Sequence, residues 1–563
     1  MTCRAWTKAR ALARTARFLR DETGAILVLW IMSLVAVVAF VALVFDMGRV
    51  QVTHGEFQSF ADSVALAAAG ELDGRVDAIA RATAAAAEVA DTNVYGGDGT
   101  LQGAGDYTLT FLSGLPEPDE DDETYNPELA STTSFETDVD AAARLVRVTI
   151  TRFDFFDLGF LAATRALLGT GTTASAQVAV EAIAGFTMEA CDIAPLMVCL
   201  PPNWHADANP GVGVNMRSRG NGASWTPGEF GFLTQGLLNT GGPCDAAKNK
   251  KDQDVCYLAA SGPVTKCFAR NGVDFETGEK DGNYAAAINA RFDIYLKSMS
   301  DGASNPLYAP APNRISGIKI TKRTVKGNGA VDCTYDTAED TVGLPPDTCL
   351  MNETCADGRF GDGTWDRRKY FGVNYLGESR YVLDDQGNVV TENGNKNGKP
   401  VVRTDFTDVD LSDWATELPS AMVAWFNANG LTPENATRWE TYQAENEVSG
   451  TILPITGDSE SHAETGRPQC NLTGGDEIDV YRRTVIVAGV VCTDDEGDSL
   501  YQGSANNVPV EEFIEIFLTN PAIEGATDDK FNLYGEVIRS VGKKGYGGAG
   551  DGGKFRDVVQ LYR

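Results

Sequence analysis

The sequence predicts an α+β protein. One N-terminal transmembrane helix extends outward as a helical stalk, and a disulfide-containing, β-rich, loop-rich globular region follows. Three observations predict this. Gly24–Phe45, GAILVLWIMSLVAVVAFVALVF, runs for 22 residues without a charge. Ten of the eleven cysteines lie beyond that run. The remainder alternates Val- and Ile-rich segments with clusters of Gly, Asn, Asp and Pro, and the 563-residue chain holds 59 Gly.

A helix rises about 1.5 Å per residue, so the apolar run spans roughly 33 Å, enough for one hydrocarbon core. The residues before it hold Arg4, Lys8, Arg10, Arg14, Arg17 and Arg20, with no acid before Asp21. That asymmetry keeps the N-terminus in the cytoplasm and exports everything after Asp46. Two rival readings are a cleaved secretory signal and an Arg-rich organellar presequence. A signal has a shorter apolar region closed by small residues, whereas this run ends VALVFDMG without an Ala-x-Ala step. Retention is the favoured reading.

The net charge is −32, and the part beyond the basic arm is more acidic still. Such a surface repels phosphate backbones, which excludes nucleic acid as a natural partner. The exported cysteines are Cys191, Cys199, Cys244, Cys256, Cys267, Cys333, Cys349, Cys355, Cys470 and Cys492, an even number as a disulfide set requires. Zinc needs closely spaced soft ligands, but the chain has no Cys-x-x-Cys and only His54, His205 and His462. The sequence leaves the pairing of the cysteines open.

Beyond the anchor, Phe57, Phe60, Ala61, Val64 and Ala68 recur at three- and four-residue spacing, one face of a helix that continues to about Ala69. Ala65 and Ala67–Ala69 permit close approach of a second helix, either Val76–Ala90 of this chain or a partner's. FLRDETG (18–24), the apolar helix, FDMGRVQ and FQSFADSVALAAA together resemble the N-terminal segment of TadE/TadG-like proteins of the Flp (Tad) pilus-assembly systems of bacteria. On that resemblance the family-motif residues are Asp46, Gln58, Ala61 and Asp62. Pilin-like relatives are cut after a Gly and carry Glu five residues later. Here Gly24 is followed at that distance by Leu29. The chain thus resembles the uncleaved, TadG-like branch.

Strands are expected at Tyr107–Leu112, Leu145–Arg152 and 174–185, with an acidic linker at 116–123 and an amphipathic helix at 154–169. From Leu200 to about Pro400 the chain is turn-dense, with helices expected at Asn283–Met299 and Pro433–Glu445. Strands return at 482–492, 510–520, 533–541 and 555–563. The expected organisation is a cytoplasmic basic arm (1–23), a transmembrane helix (24–45), a helical stalk (46–95), a small α+β unit (96–190) and a cysteine-containing β-rich domain (191–563). The resemblance places the stalk and both later parts in the periplasm.

Catalytic motifs fail on their own chemistry. Gly497–Leu500 spells GDSL, the nucleophile block of an esterase class that needs a later His; the last one, His462, lies upstream. Gly545, Gly547 and Gly550 spell G-x-G-x-x-G, but this run leads into Asp551-Gly-Gly and a strand rather than opening a helix. Some TadG-like proteins carry a von Willebrand A-type domain with a D-x-S-x-S metal motif. The nearest string, from Asp410 through Ser412, ends at Trp414, and no metal is carried over. Asp357, Asp362 and Asp366 are oxygen ligands of the type calcium takes, although their Asp-Gly steps are turn formers first. The N-x-T strings at Asn352, Asn435 and Asn471 matter only in a eukaryotic secretory pathway.

The sequence thus points to a non-enzymatic membrane protein without a cofactor. On the resemblance, its partners are the inner membrane and other pilus-assembly proteins, met through the stalk or the periplasmic domain. The alternative is an exported adhesin or ligand-binding protein released after signal cleavage.

Overall fold

The computed structural model describes residues 23–72, 77–91, 101–102, 105–115, 132–140, 142–152, 178–191, 193–218, 224–234, 242–247, 249–261, 267–269, 272–277, 282–312, 314–327, 331–338, 341–392, 398–448, 468–471, 479–494, 496–524, 531–541 and 555–562. The acidic linker at 116–123, the helix expected at 154–169 and the glycine run at 545–550 lie outside them. The described residues fall into two compact units. One is formed by 1–187 with 558–563, the other by 188–557.

The first unit is built on a single helix, α1 (Thr23–Ala69), of 47 residues. Its apolar half, Ile26–Phe45, is exposed almost throughout. Its second half buries the stripe Phe57, Phe60, Ala61, Val64, Ala65 and Ala68. The helix ends at Ala69, followed by Gly70, which starts a turn whose N–H donates to the Leu66 carbonyl at 3.2 Å. Helix α2 (Ala78–Glu88) buries its own i, i+4 row of Ala78, Ala82 and Ala86, and Ala82 and Ala86 enter the same core, the small side chains allowing close approach. The chain's own next helix therefore covers part of the alanine stripe.

The sheet of this unit contains β1 (Thr108–Leu112), β2 (Leu145–Arg152) and β3 (Val178–Cys191), paired antiparallel in that order. The C-terminal strand Phe555–Leu561 adds to the other edge of β3. Alternation sends Val146, Val148 and Ile150 of β2 into the core with Val178, Val180, Ala182 and Ala184 of β3, where they meet the α1 stripe. Each fully buried Phe or Val there contributes about 1.5–3 kcal/mol.

In the second unit a nine-stranded sheet joins β4 (Leu196–Leu200), β5 (Gly213–Ser218), β6 (Glu229–Thr234), β8 (Val273–Thr277), β11 (Thr484–Val491), β12 (Ala505–Val508), β13 (Glu512–Leu518), β14 (Ile523–Glu524) and β15 (Phe531–Val541). Six of these close a ring in the order β6, β4, β11, β13, β15, β5 and back to β6. The β4–β11 and β5–β6 pairs are parallel and the other four antiparallel. Closure leaves no free edge along the ring. Strands β4 and β11 are buried on both faces. Leu196, Val198, Val485 and Val487 enter one core, and Met197, Cys199, Ile486 and Ala488 the other, hence their continuous apolar sequence.

Helices α3 (Lys250–Ala259) and α4 (Gly282–Asn289) cover the first of these cores. A short strand, β7 (Cys267–Ala269), pairs with the end of β3, and a separate hairpin joins β9 (Ile318–Val325) to β10 (Val331–Thr337). A third core gathers α5 (Arg367–Tyr375), α6 (Ser420–Asn429) and α7 (Arg438–Asn446). The ten cysteines that follow α1 stand as five pairs at disulfide distance: 191–267, 199–492, 244–256, 333–470 and 349–355.

Two helices differ from the sequence expectation. The 283–299 periodicity yields only α4, followed by 3₁₀ turns at Ala290–Phe292 and Lys297–Met299. Asp293 interrupts it, with φ at 62° and a carboxylate that accepts the backbone N–H groups of Gln469, Cys470 and Asn471. Helix α7 starts at Arg438 rather than near Pro433, because Thr437 and Glu440 close a capping box there.

Candidate functional site

The residues of the stalk motif are set on α1 by helical geometry. Gln58 and Asp62 are one turn apart, and Gln58 Nε2 donates to Asp62 Oδ1 at 2.8 Å. The same Nε2 donates to the Glu181 carbonyl of β3 at 3.0 Å, tying the helix to the sheet. Ala61 lies between them in sequence and is fully buried, so any larger side chain there pushes the helix off β2 and β3. Gln58, Ala61 and Asp62 therefore form one contact between stalk and sheet.

Asp46 stands apart, twelve residues earlier and about 18 Å along the axis. It is buried although its neighbours Phe45 and Met47 are exposed. Thr53, between the two positions, is fully buried and its hydroxyl has no hydrogen-bond partner. The exposed apolar face ends at about Asp46, so the helix changes from solvent-facing hydrocarbon to buried contact within two turns. Among the described residues this is the one helix long and apolar enough to cross a membrane.

The enzyme-like strings of the second unit are occupied by structural bonds. Ser499 Oγ accepts the Trp225 N–H at 2.8 Å and donates to the Tyr501 carbonyl at 2.7 Å, so its lone pairs and proton serve the fold. Asp362 Oδ1 accepts from Thr364 N at 2.9 Å, and Asp366 Oδ1 caps α5 by accepting from Lys369 N at 2.9 Å. Together with Asp357, these carboxylates do not converge. Among the described residues the one cluster with metal-ligand spacing is Glu189, Cys191 and Cys267, whose two sulfurs are paired with each other. Asp410 likewise accepts from Ser412.

Sequence reasoning missed a buried ionic network. Arg438 donates to Asp347 and to Glu536, the latter at 3.0 Å, and all three side chains are buried. Glu536 also accepts the N–H groups of Arg438 and Trp439, each at 2.8 Å, at the N-terminus of α7. Asp347 accepts from Gly213, Asp362 and Gly363 N–H groups. Burial pushes the Glu536 carboxyl up, and the Arg438 charge opposes that shift. Asp293 is pushed up to about 6 by burial against three N–H donors. Glu445, held by the Tyr370 and Tyr375 hydroxyls, is pushed up to about 7 by the same cause. Glu536 joins strand β15 to helix α7, Glu445 joins α7 to α5, and Asp293 holds the 469–471 segment. A single arginine at the start of a helix carries no sequence signal for such a network.

No curated protein and no solved structure matches the chain. The family model described as putative Flp pilus-assembly TadE/G-like matches residues 24–71, the span of α1 with the turn that ends it. The similarity to TadE/G-like Flp pilus-assembly domains thus covers the N-terminal segment, from the apolar run through the Gln58–Asp62 contact.

Proposed function

We propose that the chain is a membrane-anchored, non-enzymatic component of a Flp/Tad-type pilus assembly or secretion machine. Residues 1–23 lie in the cytoplasm, 24–45 cross the inner membrane, and the parts from 46 onward work in the periplasm. The observation that carries this reading is the continuity of α1. One unbroken helix leaves an exposed apolar half and enters a folded unit through Phe57–Ala68, within the segment that matches the family. A helix so continuous tethers the unit rigidly and holds it close to the membrane.

Two further features support it. The basic arm ahead of the helix favours a cytoplasmic N-terminus. Five cysteine pairs at disulfide distance fit an oxidising compartment. The partners are other membrane helices of the machine along α1 and periplasmic or outer-membrane components on the body.

Protease added to intact spheroplasts tests the topology. Degradation of everything after residue 46, leaving a short protected N-terminal fragment, is expected. Full protection of the body in intact spheroplasts overturns the orientation. N-terminal sequencing separates retention from release, since a mature start between residues 45 and 70 would assign an exported, cleaved protein instead. Crosslinking in membranes, with identification of copurified pilus components, tests the assembly role.

A further inference from the structure

The ring of strands in the second unit carries an unusual outer face where β5 meets β15. Val214 and Met216 of β5, with Leu533 of β15, point into the core. Alternation sends Asn215, Arg217, Asn532 and Tyr534 to the opposite face, and the register sets Asn215 against Tyr534 and Arg217 against Asn532. These four side chains line an open cleft of about 1080 Å³.

Two walls flank this floor. On one side stands the segment after the Cys349–Cys355 pair, bonded to β5 where Asn215 N–H donates to the Arg359 carbonyl at 2.9 Å. On another stand Asp494, Glu496 and Gly497, with the Gly497 N–H donating to the Asp494 carbonyl at 3.1 Å. Pro201 and Pro227 add stiff apolar rim.

The amide oxygens of both Asn215 and Asn532 are buried with no hydrogen-bond donor. Asn is a poor strand residue, and a buried acceptor left unmatched costs stability. Two such amides stand on paired strands in the wall of one cleft with their oxygens turned inward, and rotation about the terminal side-chain torsion brings each unmatched acceptor to the cleft.

We propose that this cleft binds a neutral, hydroxyl-rich oligosaccharide. Sugar hydroxyls supply the donors that the two amide oxygens lack, once the amides turn toward the cleft. The Asn amide is a planar donor–acceptor group and the Arg guanidinium a planar set of donors, both suited to neighbouring hydroxyls, and the Tyr534 ring and the prolines offer flat apolar surface to sugar C–H faces. The wall charges are of both signs, Arg217 and Arg359 facing Glu353, Asp357, Asp494 and Glu496, which disfavours a polyanion. A cationic peptide would seek those carboxylates and leave the floor amides unmatched. The volume is at the upper end of single-ligand pockets, so more than one ring is accommodated. The proposal does not depend on the assembly role or on membrane orientation.

The test uses the full chain in amine-oxide micelles, which contain no sugar headgroup, titrated calorimetrically with chitotetraose, cellotetraose, maltotetraose and a lysine–glycine tetrapeptide. At least one tetrasaccharide is expected to bind, and the double variant Asn215→Ala/Asn532→Ala is expected to weaken it by about tenfold or more. Without sugar the double variant should melt no lower than the parent, because it deletes two unmatched oxygens. Lys322→Ala, on the exposed hairpin, should bind as the parent does. Hydrogen exchange on the unaltered chain gives a variant-free readout, with sugar protecting 213–218 and 531–536. The proposal is overturned if no tetrasaccharide binds, if only the peptide binds, if the double variant binds sugar normally, or if protection maps elsewhere.

Discussion

Arg438 and Glu536 meet at 3.0 Å with both side chains buried, and the same guanidinium serves Asp347. One cation thus stands between two carboxylates from different parts of the second unit, with backbone N–H groups taking up the remaining acceptor capacity. Arg438→Ala strands both acids in the interior and should lower unfolding stability by about 3–5 kcal/mol. Arg438→Lys should rescue only part, since an ammonium does not reproduce the guanidinium fork. Urea unfolding of the three proteins measures this; parity between Ala and parent would show the network to be energetically silent.

The stalk contact gives a second prediction. Gln58→Ala loses two hydrogen bonds and should cost about 1–2 kcal/mol. Gln58→Glu should cost more, because a carboxylate there faces Asp62 and the Glu181 carbonyl with no proton to donate. Faster hydrogen exchange across 178–185 reads the loosening, and equal exchange in all three chains contradicts the contact.

Ala61 tests the same interface by volume. Ala61→Leu forces extra methylenes against a fully buried helix face and should destabilise by about 1–3 kcal/mol, whereas Gly48→Leu, at an exposed position with open space around a Cβ, should not. Thermal melting of the detergent-solubilised chain is the measurement.

A pH dependence follows from Glu445 and Asp293. Both acids have folded values raised above the ordinary carboxyl range, to about 7 and about 6. A raised acid holds its proton longer in the folded state, so stability increases as pH falls from about 7 toward 4.5 and is lowest above 7. Glu445→Gln should remove a term on the order of 3 kcal/mol across that window. Unfolding at pH 5, 6, 7 and 8 decides it, and identical slopes in variant and parent refute the assignment.

The Cys199–Cys492 pair closes the longest loop of the five. Replacing both with Ala should cost about 2–5 kcal/mol, mostly through the unfolded chain, and more than removing Cys349–Cys355. Denaturant unfolding of the two double variants beside the parent gives the comparison.

The legible parts of this protein are those written locally. Hydrocarbon length and flanking charge define α1, and the Phe57–Ala68 spacing defines its buried face, so Gln58, Ala61 and Asp62 fall together on one stretch of helix. The other end of that contact, the Glu181 carbonyl, is a backbone group 123 residues away with no sequence mark. Strands β4 to β10 are obscured by the turns between them, although GVNMRS and IKITKRTV alternate as strands do. Ring closure depends on pairings between β5 and β15 that no local pattern specifies. Asp293 reads as one more residue of a helix because its three donors come from another stretch of chain.

The strand at 555–561 pairs with β3, yet 188–557 lie between the first unit and its returning residues. During synthesis, at about 5–20 residues per second, the edge of β3 stands open for tens of seconds while the whole second unit is made. An open edge of this kind recruits other strands. The first part of the protein to reach the membrane is therefore the last to be finished, and a premature stop before 555 would leave an anchored chain with a sticky sheet rather than a merely shorter protein.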